Sequence, residues 1–292
     1  MRNSRVRAAS LCALLAAAAG AAALVPTPAP TSAAEKMKPE EVVAKHLDSI
    51  AAADKRAASR TRLALGSSSY EVRSGGRGQA AGNVVVASDG NKVLLSALFN
   101  TPEYPYERVG FDGSKVTVRH LAPGIRSPLG EFLMSYGEIA KEGLLGGTLS
   151  TAWPLLNLAE RNPKLEYQGT EKVQGREAHK LRYSPRKGSD LKIRLFFDAE
   201  TFRHVRTDYE RTIAATMGGA PGASAGRIES RYKLVEDFSD YKDVNGFMLP
   251  HAYSIQFSVS GQTASRLLEL KFKLTEIGFD QQINAKEFDT DN

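Results

Sequence analysis

Few residues in this 292-residue chain have the type and spacing that chemistry requires. Gly222-Ala-Ser-Ala-Gly226 matches the G-x-S-x-G pattern, in which a serine on a tight strand-to-helix turn becomes a nucleophile. Here Ser224 sits in a stretch rich in Ala and Gly, and the following Arg227-Ile-Glu-Ser-Arg-Tyr232 alternates as a strand does. The segment therefore reads as a loop, and serine hydrolysis is the least favoured function. None of the five histidines (His46, His120, His179, His204, His251) stands at metal-ligand spacing from another, and H-E-x-x-H does not occur. Asp237, Asp240 and Asp243 flank a turn and are expected to face water rather than to form an acid/base pair. Ser74-Gly-Gly-Arg-Gly78 lacks the Lys-Ser/Thr ending of a phosphate loop. Tyr70, Tyr104 and Tyr106 near Arg108 have the character of a sugar-stacking site, but tyrosine is common in strands for packing reasons alone. No catalytic residue, metal ligand or cofactor is expected.

The N-terminus sets the compartment. Arg2, Arg5 and Arg7 precede an apolar run over residues 11–25, a Pro-rich stretch, and Ser32-Ala33-Ala34. That is the order of a cleaved secretory signal peptide, residues 1–34. The run is shorter than the roughly 20 apolar residues a membrane-spanning helix needs. Cys12 follows Leu11 at the start of this run, not a small residue after it, which argues against a lipoprotein anchor. Cleavage after Ala34 removes three arginines and no acid, so the formal charge falls from +6 to +3. A mild excess spread along the chain makes no case for nucleic acid, whose binders cluster Lys and Arg on one face. The mature chain has no cysteine, which removes thiolate chemistry. The expected product is periplasmic or secreted, soluble and monomeric.

Residues 39–60 read as one helix. Pro39 suits a first helical position, Glu40 and Glu41 suit the positive end of the helix dipole, and Val43, Leu47 and Ile50 form an apolar stripe. From residue 61 the period changes to two. His179, Leu181 and Tyr183 alternate with Lys180 and Arg182; Ile193, Leu195 and Phe197 with Lys192 and Arg194; Tyr253, Ile255, Phe257 and Val259 with polar residues; and Leu268, Leu270, Phe272 and Leu274 likewise. Such alternation marks antiparallel strands with one face buried and one wet. Asp89-Gly90, Asp112-Gly113 and Val244-Asn-Gly246 punctuate the runs as hairpin turns. Residues 127–161 break the pattern with helical pieces that begin at Ser127-Pro128. About eleven short strands are expected, in one domain over residues 35–292.

Pro39-Glu-Glu-Val-Val-Ala-Lys-His-Leu-Asp48 before a strand, Phe197-Asp-Ala-Glu-Thr-Phe202, and Asp237-Phe-Ser-Asp-Tyr-Lys-Asp-Val-Asn-Gly-Phe-Met-Leu-Pro250 resemble segments of the periplasmic lipoprotein-sorting carriers (LolA- and LolB-like). Gly143-Leu-Leu-Gly-Gly-Thr-Leu-Ser-Thr-Ala-Trp-Pro-Leu-Leu156 resembles an exported subgroup of the same superfamily. The resemblance implies a mainly β fold: a strongly curved, open antiparallel half-barrel with an N-terminal helix and a helical lid insertion. It also implies a hollow that holds acyl chains, hence a lipid or lipidated protein as partner, or else an envelope sensor or protein-interaction module of the same fold. No residue here matches a known functional residue of the carriers, so none is carried over.

An acyl chain requires only an apolar lining. The expected lining is Phe132, Leu133, Tyr136, Leu145, Leu149, Trp153 and Leu156 from the lid, with Ile193, Leu195, Phe197, Tyr253, Ile255 and Phe257 from the sheet. The same side chains would equally suit a permanent core. The leading expectation is a carrier or binder of a hydrophobic ligand that does no chemistry.

Overall fold

A computed structural model describes residues 37–214, 229–261 and 265–291. The expected signal peptide, with Cys12, and the Ser224 loop lie outside these residues.

Twelve strands, against about eleven expected, form one antiparallel sheet. They are β1 (Thr61–Ser74), β2 (Gln79–Asp89), β3 (Lys92–Phe99), β4 (Tyr106–Phe111), β5 (Val116–Val118), β6 (Lys164–Val173), β7 (Arg176–Ser184), β8 (Lys192–Asp198), β9 (His204–Ile213), β10 (Ser230–Val244), β11 (Phe247–Gly261) and β12 (Ser265–Phe279). The spatial order β5-β4-β3-β2-β1-β12-β11-β10-β9-β8-β7-β6 consists of two meanders joined where the first strand pairs with the last. The sheet therefore ends on β5 and β6, which are consecutive in sequence. The chain between them, residues 119–163, holds α3 (Pro128–Ser135), α4 (Glu138–Lys141), 3-10 turns at Gly147–Leu149 and Pro154–Asn157, and α5 (Leu158–Arg161).

Strand pairing together with this segment requires strong curvature. β5 and β7 are ten strand spacings apart in the sheet, about 48 Å if it were flat. Yet Gly130 of α3 lies against Val118 of β5, and the Tyr183 hydroxyl of β7 donates to Glu142 at 2.8 Å. The intervening dozen mostly helical residues span only about 18 Å. The sheet must bend until its two edges face the same short segment.

The inner face carries the alternating apolar residues, and the outer face carries paired charges. Arg194 donates to Asp208 and Glu210 at 2.7 and 3.1 Å, and Arg206 forks onto Asp237 at 2.7 and 3.0 Å. Asp237 thus departs from the expectation that it faces water: it is buried by its cross-strand arginine, while Asp240 and Asp243 are exposed. Residues 39–60 also depart from expectation. They form α1 (Pro39–Ile50) and α2 (Ala53–Ala58) with an extended break at Ala51, because Arg56 turns back and donates to the carbonyls of Leu47 and Ala51.

The pairing of β1 with β12 shifts register between Leu65 and Gly66, and a Cβ on Gly66 would stand 2.1 Å from the Lys273 carbonyl oxygen. Gly66→Ala is expected to lower the free energy of unfolding by at least about 2 kcal/mol. Urea denaturation measures the loss; an unchanged midpoint would show that the bulge tolerates a side chain.

Candidate functional site

The thirteen residues expected to line a hollow come together. Phe132, Leu133, Leu145, Leu149 and Trp153 of the inserted segment are buried in one continuous cluster with Ile193, Leu195, Phe197, Tyr253, Ile255 and Phe257 of the sheet. Tyr136 and Leu156 are half-buried against it. The hollow is not loosely covered: the segment fills it as a plug. The void where Leu145 and Gly146 meet β2 and β3 is only about 10 Å³, barely room for one water.

Polar groups that periodicity alone did not single out hold the plug in place. Trp153 Nε1 donates to His46 Nε2 at 3.0 Å, and His46 Nδ1 donates to the Phe202 carbonyl at 3.0 Å. Each ring nitrogen of His46 thus has one role, which defines the neutral tautomer. His204 packs on Trp153 with ring centroids 4.5 Å apart and lies 6.3 Å from His46, so two histidines far apart in sequence meet in the core. Burial lowers the His46 pKa to about 4 and that of His204 well below the usual histidine range.

Three further ties join sheet to plug. Glu236 accepts from the backbone N–H of Gly146 at 2.8 Å, from Tyr253 Oη at 2.6 Å and from Tyr209 Oη at 2.7 Å. Arg62 donates to the Thr148 carbonyl and lies over the rings of Phe247 and Phe279 at 5.2 and 5.5 Å; burial lowers its pKa to about 10. Glu107 accepts from Tyr104 Oη and Ser127 Oγ, and Ser127 in turn accepts from the Gly130 N–H at 2.7 Å, capping α3. Burial raises the Glu236 carboxyl and pushes Glu107 up to about 7. The available signal was register: Arg62, Glu107 and Glu236 each fall on the inward phase of an otherwise apolar strand.

The other candidates are dispersed. Tyr70 and Tyr104 pack with Phe99, while the Tyr106 hydroxyl donates to the His120 carbonyl at 2.7 Å, so the three tyrosines present no common sugar platform. His179 stacks on Phe202 at 5.1 Å, and His251 bonds the Leu249 carbonyl at 3.1 Å.

An apolar groove of about 270 Å³ remains open where the plug begins. Its walls are Tyr70 and Val72 of β1, Phe257 of β11, Leu268 of β12, and Tyr104, Leu121 and Pro128 beside the start of the plug. Phe257 lines the groove and packs against Phe132 of the plug, ring centroids 5.2 Å apart and tilted, so it borders both the groove and the filled hollow. On the other side of the plug is a wider polar cleft of about 1340 Å³, in which Arg60, Lys141 and Lys187 mingle with Asp89, Glu138 and Glu160.

No family model matches the sequence, and no curated protein does either. Solved structures do match. A LolA superfamily protein from Nitrosomonas europaea is 11% identical, with 87% of this chain and 99% of that one covered, at a TM-score of 0.44. A putative outer membrane lipoprotein-sorting protein domain from Vibrio parahaemolyticus is 13% identical over 85% and 98%, at 0.41. The lipoprotein LppX of Mycobacterium tuberculosis is 12% identical over 85% and 100%, at 0.23. The first two carry the designation of the carriers that the sequence resembles. With scores this low, the architecture stands on its own strand pairing.

The shifted groups make opposite contributions across the acid range. His46 is held neutral, so its contribution is complete above the unfolded value of 6.5 and is lost as pH falls towards 4. Glu107 is held protonated, so its contribution is complete below 4.5 and is lost as pH rises towards 7. Each is worth on the order of 3 kcal/mol at about 1.36 kcal/mol per pH unit. His46→Gln retains a donor and an acceptor and should lose less stability than wild type from pH 6.5 to 4. Glu107→Gln should gain on wild type from pH 4.5 to 7. Unfolding curves at a series of pH values check both; slopes parallel to wild type would refute the assignment.

Proposed function

We propose that this chain is an exported carrier or binder of a hydrophobic ligand, a lipid or the acyl chains of a lipidated protein, and that it works without catalysing a reaction. One observation carries the reading: the apolar inner face of the open sheet is closed by a plug of short helical turns, and an apolar groove enters beside that plug.

A plug made of turns can leave without breaking any strand pairing. Leaving exposes Leu149, Trp153 and the inner face, and an acyl chain lying there covers the same surface again. Burial contributes about 0.8 kcal/mol per CH₂, so a sixteen-carbon chain supplies on the order of 10 kcal/mol before binding costs. The exchange replaces apolar contact with apolar contact. The bonds of Glu236 to Gly146 and of Arg62 to Thr148 favour the closed state when no ligand is present. The basic and apolar N-terminal run supports export. Among the described residues no helix is long and apolar enough to cross a membrane.

Delipidated, refolded protein should take up a fluorescent fatty-acid probe saturably. Gly76 lines the groove, and a Cβ there would make only an ordinary contact with Val72 at 3.4 Å. Gly76→Trp should therefore fill the groove and weaken uptake at least tenfold while the melting temperature stays unchanged. Native mass spectrometry of protein from its own envelope should show an added lipid mass. The reading fails if uptake never saturates, or if the Gly76→Trp protein binds the probe as wild type does.

A further inference from the structure

The mouth of the groove has a chemistry that an acyl chain alone does not need. Two arginines line it, Arg77 from the turn between β1 and β2 and Arg266 from the start of β12. Both are exposed, and neither has a carboxylate partner among the described residues. Arginines nearby and elsewhere on the sheet do: Arg73 pairs with Glu269, Arg194 with Asp208 and Arg206 with Asp237. Glu103 is the acid at the mouth and is engaged by the Thr101 hydroxyl. That bond leaves Glu103 ionised, so the mouth carries two arginines without a carboxylate partner against one carboxylate, an excess of one positive charge.

The glycine-rich turn over residues 74–78 positions this pair. Gly75 has φ of 73°, and a Cβ there would stand 2.7 Å from the Ser265 carbonyl oxygen and 3.1 Å from Arg266 Cα. Only glycine lets the Arg77 turn lie this close to the strand that carries Arg266. Guanidinium groups fit carboxylate and phosphate oxygens through paired N–H donors. Below the arginines the walls turn apolar at Val72, Phe257 and Leu268.

We infer that the groove admits a single-chain amphiphile with an anionic head, its chain against Phe257 and Leu268 and its head between Arg77 and Arg266. This rests on the ligand-binding role proposed above and adds the charge that the site reads. The groove is a threshold: the head stays at the rim, in water and between two cations, while the tail presses on Phe257, which packs against Phe132 of the plug. At high salt, where screening acts within about 3 Å, the preference for an anion shrinks.

The test compares laurate, dodecanol and dodecylammonium, which share one chain and differ in head charge, by displacement of a fluorescent probe from the full protein. Laurate should bind at least tenfold more tightly than dodecanol, and dodecylammonium most weakly. The double variant Arg77→Glu/Arg266→Glu should abolish or invert that order, with the melting temperature as the control for folding. Inorganic phosphate alone should not displace the probe. Equal affinity for laurate and dodecanol in wild type, or an order that survives the double variant, overturns this inference and leaves the binding role standing. Displacement by inorganic phosphate at laurate-like concentrations overturns it in favour of a simple anion site. Uptake of none of the three amphiphiles overturns both readings.

Discussion

The inner face of the sheet is apolar along nearly every strand, and the sheet does not close. A closed barrel hides its core and has no edges; this sheet keeps two, β5 and β6, and leaves a gap between them. The chain that joins these edges has to shield the core and bridge the gap in a single passage. It does so with short turns instead of a thirteenth and fourteenth strand. The cover is therefore attached by side chains and a few directed hydrogen bonds, and every later property of the molecule follows from that mode of attachment.

Apolar packing alone specifies a position loosely, since hydrophobic contacts have no direction. The buried ties provide the direction. Glu236, Arg62 and Glu107 each reach from a strand to the plug's backbone or its helix cap, and His46 reaches from α1 to the indole of Trp153. Groups of this kind are costly to bury unless their partners are in place. They satisfy one another in one seating of the plug, so that seating is preferred. Burial also holds His46 neutral and drives Glu107 and Glu236 towards their protonated forms, while Arg62, with its pKa lowered only to about 10, stays a buried cation against the Thr148 carbonyl and two aromatic rings.

Two physically distinct regions meet at Phe257. On one side lies a filled core, in which Leu149 and Trp153 occupy the space that a half-barrel would offer a ligand. On the other lies a groove with apolar walls and a cationic rim. Phe257, which lines the groove and packs against Phe132, forms the partition between them. On the proposed reading, a molecule with an oily tail and a charged head enters the groove as it stands and reaches the core once the plug moves. The same arrangement keeps the apolar face dry in the empty protein, where an open face would promote aggregation.

The sequence by itself determined the local structure. Alternation in Ile193-Arg-Leu-Arg-Phe197 and Tyr253-Ser-Ile-Gln-Phe257 set which side chains face inward, because strand geometry has a period of two. Ser127-Pro128 marked the start of α3, because the cap and the fixed φ act within one turn. The hairpin turns and the inserted helical segment were legible for the same reason. What only the tertiary structure decided are the relations between distant segments. Periodicity gave no sign that Asp237 would be covered by Arg206, that His46 and His204 would meet at Trp153, or that Arg56 would turn back to end α1 early. It also left open whether the hollow would be empty or filled, since the same leucines and aromatics suit a lid and a core equally. That choice depends on how far the sheet bends and how closely its two edges approach, and curvature is a property of twelve strands together that no single stretch of sequence contains.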